Sequence, residues 1–137
     1  FNLNWLELVL IDGYEIWEEG FGGSATIGLS TEDYDGDGLV NLSEYAFNGD
    51  PTDSSSLGEL PTVSTTGGII SYRYPQRADD PSLVFNLETT TDLSSGDWIN
   101  TGILTTETET TGSLLNYVTN TLSLDNDQIF VRLIISK

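Results

Sequence analysis

The hydrophobic pattern of this chain changes its period along its length. Residues 1–11, FNLNWLELVLI, are strongly apolar: Phe1, Leu3 and Trp5 alternate with polar residues, then Leu6, Leu8 and Leu10 continue on the other parity. Read as a strand, the two half-alternations meet at a bulge near Trp5 and Leu6; read as a helix, Leu3, Leu6 and Leu10 share one broad face. The extended form is the expectation, and the segment needs cover from its own domain or from a neighbour. It is therefore a candidate for donation as a strand to an adjacent subunit.

YEIWEEGFGG predicts a short helix over 14–19 that stops at Gly20, and 24–31 reads as a polar connector. NLSEYAFNGDP predicts a second short helix, with Leu42, Tyr45 and Ala46 on its buried face, Gly49 at the C′ position and Pro51 beyond it. After Pro51 the texture becomes β. Strands are predicted at about 62–66, 69–74, 83–90, 98–101, 114–119 and 129–136, and Leu83, Phe85 and Leu87 alternate with Val84, Asn86 and Glu88 at the period of a half-buried strand. PQRADDP and LSSGD read as turns. The fold class that follows is mainly β, α+β in detail: an antiparallel β-sandwich with an N-terminal short-helix segment carrying an EF-hand-like calcium loop. Residues 12–51 and 60–137 are expected to pack as one domain.

Charge changes the picture of partners. With 22 acidic residues against four basic ones the net charge is −18 in a chain of 137. Such a surface repels phosphate backbones and anionic lipid, so nucleic acid is excluded as a partner, while divalent cations are attracted. The chain has no cysteine and no histidine. That removes disulfides, thiolate chemistry, Ser-His-acid triads and the commonest zinc sites. No two carboxylates are singled out as a glycosidase pair, so no enzyme activity is expected. No apolar run is long enough to span a membrane. The absence of an initiator Met and of a signal peptide fits a processed secreted chain or an excised segment.

The candidate chemistry lies in DYDGDGLVNLSE, residues 33–44. An EF-hand loop takes oxygens from positions 1, 3 and 5, from the carbonyl at 7, from 9 and from a bidentate Glu at 12, with Gly at 6. Counted from Asp33, these slots hold Asp33, Asp35, Asp37, Leu39, Asn41 and Glu44, with Gly38 at the turn. Hard oxygen ligands with a bidentate carboxylate favour Ca²⁺ over Mg²⁺, which resists losing its water. Val40, at position 8, is expected to pack inward. Sensor EF-hands expose a Met-rich groove; this chain has no Met and only one such loop, so the ion is expected to act as a structural staple.

The loop resembles the Asp-rich calcium loops of dockerins and thrombospondin type-3 repeats. A dockerin carries two such repeats, so cohesin binding does not carry over. The order DYDGDGLVNLSEYAFNGDP, SYRYPQRADDPSLVFNLETTTDLSSGDW, IFVRLIISK resembles the C-terminal calcium-plus-β modules of large secreted proteins of aquatic bacteria, over residues 14–137. That resemblance implies extracellular or cell-surface placement, calcium and no catalysis. The expected function is a non-catalytic, calcium-stabilised structural module, a subunit or tandem repeat of an extracellular fibre or surface assembly that self-associates head to tail by strand addition. The alternative is an accessory module, carbohydrate-binding in character, appended to a secreted hydrolase or adhesin.

Asp50 and Asp53 read as a solvated turn, with contact to the loop's ion or a second ion as the alternative; Asp125 and Asp127 read as a hairpin turn, with the same alternative. Arg73 and Arg77 are expected to pair with Asp79 and Asp80. Trp17 and Trp98 are expected in the core. Thr105, Thr106, Thr108, Thr110 and Thr111 form a Thr-rich edge or loop that is a candidate for O-glycosylation. Asn41-Leu42-Ser43 matches an N-glycosylation sequon, but Asn41 is expected to be occupied by the loop.

Overall fold

The computed structural model describes residues 12–125 and 128–137. The expected strand over residues 1–11 lies outside them, as does Asp127. Among the described residues three short helices precede six strands: α1 (Gly13–Glu19), α2 (Ser24–Ile27), α3 (Asn41–Phe47), β1 (Thr62–Thr66), β2 (Ile69–Arg77), β3 (Val84–Thr90), β4 (Ile103–Glu109), β5 (Leu115–Ser123) and β6 (Phe130–Ser136). All strand pairs are antiparallel. One sheet has the order β1-β2-β5-β4 and the other pairs β3 with β6. The fold is mainly β, a four-stranded sheet facing a two-stranded one. Ile70, Leu87 and Leu122 are buried between them, with Ile103, Val131 and Leu133 packed around.

Where the strands differ from expectation, the reason is local. β2 does not stop at Tyr74 but runs through Pro75 to Arg77, so PQRADDP is only partly a turn. Its partner β1 ends where Thr62 pairs with Arg73, so beyond that point one side of β2 has no strand and the missing Pro75 N–H leaves no gap in a ladder. The expected strand at 98–101 reduces to one bridge between Ile99 and Thr89. The Thr-rich stretch forms a full edge strand, β4, paired to β5 through Thr105–Thr121 and Glu107–Thr119. The connector at 24–31 contains the one-turn helix α2, whose Ile27 is fully buried.

The helical part packs on the sandwich end where β2 and β6 finish. Tyr14, Tyr45, Ala46, Phe47 and Leu83 form its buried cluster, with Trp17, Phe85, Leu133 and Ile135 against it. Trp17 belongs to the core as expected, sitting 5.5 Å from Tyr14 and from Tyr45 between ring centroids. Trp98 does not: it is half-buried at the surface, with the Arg132 guanidinium 4.1 Å above its ring. Asn48, rather than Gly49, takes the left-handed position ending α3, at φ 61. Asn48 N–H then reaches the Tyr45 carbonyl at 3.4 Å and Gly49 N–H the Glu44 carbonyl at 2.8 Å, the two bonds of a Schellman stop.

One polar node holds the helices to the strands. The Tyr45 hydroxyl donates to buried Asp80 at 2.9 Å, and Lys137 Nζ lies 3.2 Å from Asp80 and 2.8 Å from Asp12. Asp12 in turn caps α1 in a reciprocal box with Glu15. Arg77 stacks 4.0 Å from the Tyr45 ring centroid, donates to the Tyr45 carbonyl at 2.9 Å and pairs with Asp79 at 2.7 Å. Burial alone would raise the Asp80 pKa. The hydroxyls of Ser82 and Tyr45, the Ser82 amide and Lys137 together outweigh it and hold the carboxyl well below the usual range. Arg73 departs from expectation: it pairs with Glu109 at 3.2 Å and covers the Tyr117 ring at 3.8 Å. Among the described residues no helix is long and apolar enough to cross a membrane.

The node yields a stability prediction. Tyr45→Phe keeps the ring packing but removes one donor from a buried carboxylate, which should lower unfolding free energy by about 1–3 kcal/mol in denaturant titration.

Candidate metal centre

The loop between α2 and α3 is closed at its neck by backbone. Asn41 N–H donates to the Glu32 carbonyl at 2.8 Å and Leu42 N–H to the Ser30 carbonyl at 2.9 Å. These bonds satisfy the first amides of α3, which has no side-chain cap. Inside the neck the amides fold toward the acids. Asp33 Oδ1 accepts from the N–H of Gly36 at 2.8 Å and of Asp37 at 3.2 Å, and Asp33 Oδ2 accepts from Gly38 at 2.9 Å. Asp35 Oδ1 accepts from Asp37 N–H at 3.2 Å and Asp37 Oδ1 from Leu39 N–H at 2.7 Å. This tight winding needs positive φ at Gly36 and Gly38, 76° and 98°, which a side chain would oppose.

The winding leaves a set of oxygens with nothing to accept from. Asp35 Oδ2, Asp37 Oδ2, Asn41 Oδ1 and both Glu44 oxygens are buried and have no hydrogen-bond partner. Asn41 and Glu44 are both 0% exposed. The Asp33, Asp35 and Asp37 carboxylates each offer an oxygen within 4.8 Å of the others. A buried unsatisfied acceptor costs about 1–3 kcal/mol, so these alone oppose folding by an amount on the scale of a domain's whole stability, about 5–15 kcal/mol. Every one is an acceptor, so a cation is the species they suit.

The electrostatics agree with the geometry. Glu44 is pushed up to about 8, first by burial and then by the charges of Asp35, Asp37, Asp50 and Asp33. Asp35 is raised as well, by burial first, with Asp37, Asp33 and Asp50 adding repulsion against a lowering bond from the Asp37 amide. Asp50 is thus close enough for its charge to be felt in the ring. Its Oδ1 is held in a turn by the Thr52 amide at 3.0 Å and hydroxyl at 2.7 Å. Asp53 makes the equivalent turn with Ser55.

The structure brings together Asp33, Asp35 and Asp37; Glu44 feels their charge, and Leu39 and Asn41 lie on the stretch of chain between them. The expected inward side chain is corrected. Val40 is 36% exposed, whereas Leu39 packs against the Tyr45 cluster. Val40 has extended backbone, φ −74 and ψ 153, so successive side chains point to opposite sides and only one faces the core. Asn41 has a second task that the loop template does not show: its Nδ2 donates to the carbonyls of Ile27 at 2.8 Å and Leu29 at 2.9 Å. This aims its Oδ1 away from α2 and leaves the sequon nitrogen buried. A lone Ile27 within a polar connector was the available signal for α2.

The threonine candidates lie on or just after β4 and are exposed. Thr105, Thr106 and Thr111 already engage Thr121, Asn120 and the Leu115 carbonyl through their hydroxyls. Phe1, Leu3, Trp5, Leu6, Leu8 and Leu10 lie outside the described residues.

A pH dependence follows for the protein in chelator. Glu44 has a folded pKa pushed up to about 8 from the ordinary carboxyl value of 4.5, so its protonated form stabilises the fold fully below the unfolded pKa. That contribution is lost as pH rises through the folded value. Metal-free melting temperature should therefore fall between roughly pH 4.5 and pH 8, and Glu44→Gln should flatten that slope. No family model, curated protein or solved structure matches this chain, so its function is argued from these residues.

Proposed function

We propose that the protein is a non-catalytic structural module whose helical segment is stapled by one Ca²⁺ in the 33–44 loop, and that it serves as a building unit of an extracellular or cell-surface assembly. The observation that carries this reading is the set of buried acceptor oxygens on Asp35, Asp37, Asn41 and Glu44 that have no donor. Asp33 and the Leu39 carbonyl complete the ring. Both Glu44 oxygens are unengaged, the arrangement a bidentate ligand requires, and Glu44 belongs to α3, whose Tyr45 is the centre of the helical core. An ion held there ties the loop to the elements that dock on the sheets.

The role is mechanical because the ion's surroundings are used up in packing. Asn41 is bonded to α2, Leu39 and Tyr45 are in the core, and the ring therefore has little freedom to open as a sensor does. Weak affinity suffices, since extracellular modules bind at about 10⁻⁴–10⁻³ M. Millimolar calcium outside cells would load the site and relieve part of the −18 charge. A carbohydrate platform has less support: the faces of Trp98 and Tyr117 are covered by Arg132 and Arg73.

Calorimetry in calcium and in chelator tests the staple. With 10 mM Ca²⁺ and the affinity range above, binding to the folded state alone adds about 1.4–2.7 kcal/mol, a rise of roughly 5–10 °C. Asp33→Ala and Glu44→Ala should each abolish the difference between the two conditions, and Mg²⁺ should give little of it. A melting curve unmoved by calcium would defeat this reading.

A further inference from the structure

The two sheets are unequal, and the smaller one leaves an apolar groove. Between them lies an open cleft of about 450 Å³ lined by Val63, Ile70, Tyr72, Ile129, Phe130 and Val131, among others, with no charged residue among the described ones. Val63 pairs with Tyr72 and Thr65 with Ile70. Cross-strand partners share a face, so Val63 belongs to the inner face with Ile70, which is 5% exposed. Yet Val63 is 65% exposed, and every residue of β1 is exposed. The cause is a missing layer. Among the described residues β6 pairs only with β3, and nothing lies beside its other edge to cover β1.

We propose that this groove accepts residues 1–11 of a second copy of the chain, added as a strand beside β6. The proposal rests on the reading of the protein as a building unit and names the contact that joins one unit to the next. Three features select this occupant. Residues 1–11 carry a single charged residue, Glu7, and so match a charge-free groove on a molecule whose remaining surface repels its own copies. The strand edge needs backbone partners and the cleft needs apolar side chains, which an extended apolar segment supplies together. The segment also leaves the described chain at Asp12, beside Lys137 at 2.8 Å, the end of β6 away from the groove.

That last feature favours another copy over the same chain. From Val131 to Lys137 an extended strand spans about 20 Å at about 3.3 Å per residue. An intramolecular return from Asp12 would bring residues 4–6 level with 129–131 and leave Leu8 and Leu10 level with Leu133 and Ile135. Those two already pack against the helical cluster. A second copy has no such register constraint and places Leu6, Leu8 and Leu10 in the groove together. Donor and acceptor then lie at opposite ends of the unit, a head-to-tail contact that grows an open filament.

The absence of cysteine makes the test direct. Full-length chains carrying Val63→Cys are mixed with chains carrying Leu8→Cys and oxidised in millimolar calcium. Disulfide-linked pairs should form at least about tenfold faster than with Ser64→Cys, on the opposite face of β1, because docking raises the effective concentration. A chain carrying both substitutions should give linked multimers. Linking no faster than the Ser64→Cys control overturns the proposal, and so does an intramolecular disulfide in the double variant. Val63→Glu, at an exposed position, should keep the melting curve and lower the sedimentation coefficient at high concentration; association that persists in this variant also overturns it. The calcium staple fails separately, on the melting curve, whatever the linking shows.

Discussion

A set of acceptor oxygens buried without donors is the constraint on which the rest of this structure depends. Asp35, Asp37, Asn41 and Glu44 contribute it, and the protein has placed it at the foot of α3 rather than at the surface. The position is costly in isolation. It is also a place from which a single cation would order several elements at once, since α2 is bonded through Asn41, the core is reached through Leu39, and α3 carries Glu44. The helices are too short to stand alone: seven, four and seven residues fall below the length at which isolated helices persist. Tertiary packing and the loop together must hold them.

The second organising feature is the clamp at Tyr45, Asp80, Lys137 and Asp12. It joins α3, the turn before β3, the end of β6 and the cap of α1 through a carboxylate that four donors keep ionised. Lys137 and Arg77 are among only four basic residues in the chain, and both are spent on this end of the molecule. The other two, Arg73 and Arg132, lie flat over Tyr117 and Trp98 on the sheets. Positive charge is therefore used to fasten elements together, and the acidic surface is left uncompensated.

The sandwich is lopsided, and this links its architecture to assembly. Among the described residues four strands face two, so one side of the larger sheet is covered by β3, β6 and the helices, while β1 and the start of β2 are open. An uncovered inner-face valine is a deficit of one strand. The proposed supply of that strand from another copy would turn a weakness of the single domain into the reason the units join, and the loop would keep the donor end rigid while they do.

The sequence by itself determined the parts governed by local rules. The spacing from Asp33 to Asp37 marked the clustered carboxylates, because turn chemistry repeats at fixed offsets, and the helix of Asn41–Phe47 and the alternation of β3 follow from patterns within a few residues. Tertiary structure decided what depends on distant neighbours. Pro75 sits inside β2 because β1 ends early. Leu39 rather than Val40 faces inward because the core lies on that side, Trp98 stays outside because Arg132 meets it there, and the Thr-rich run pairs as β4 because β5 offers an edge. Local spacing is written in the chain. Which edge lies free, and which face is covered, exists only once the strands have found their partners.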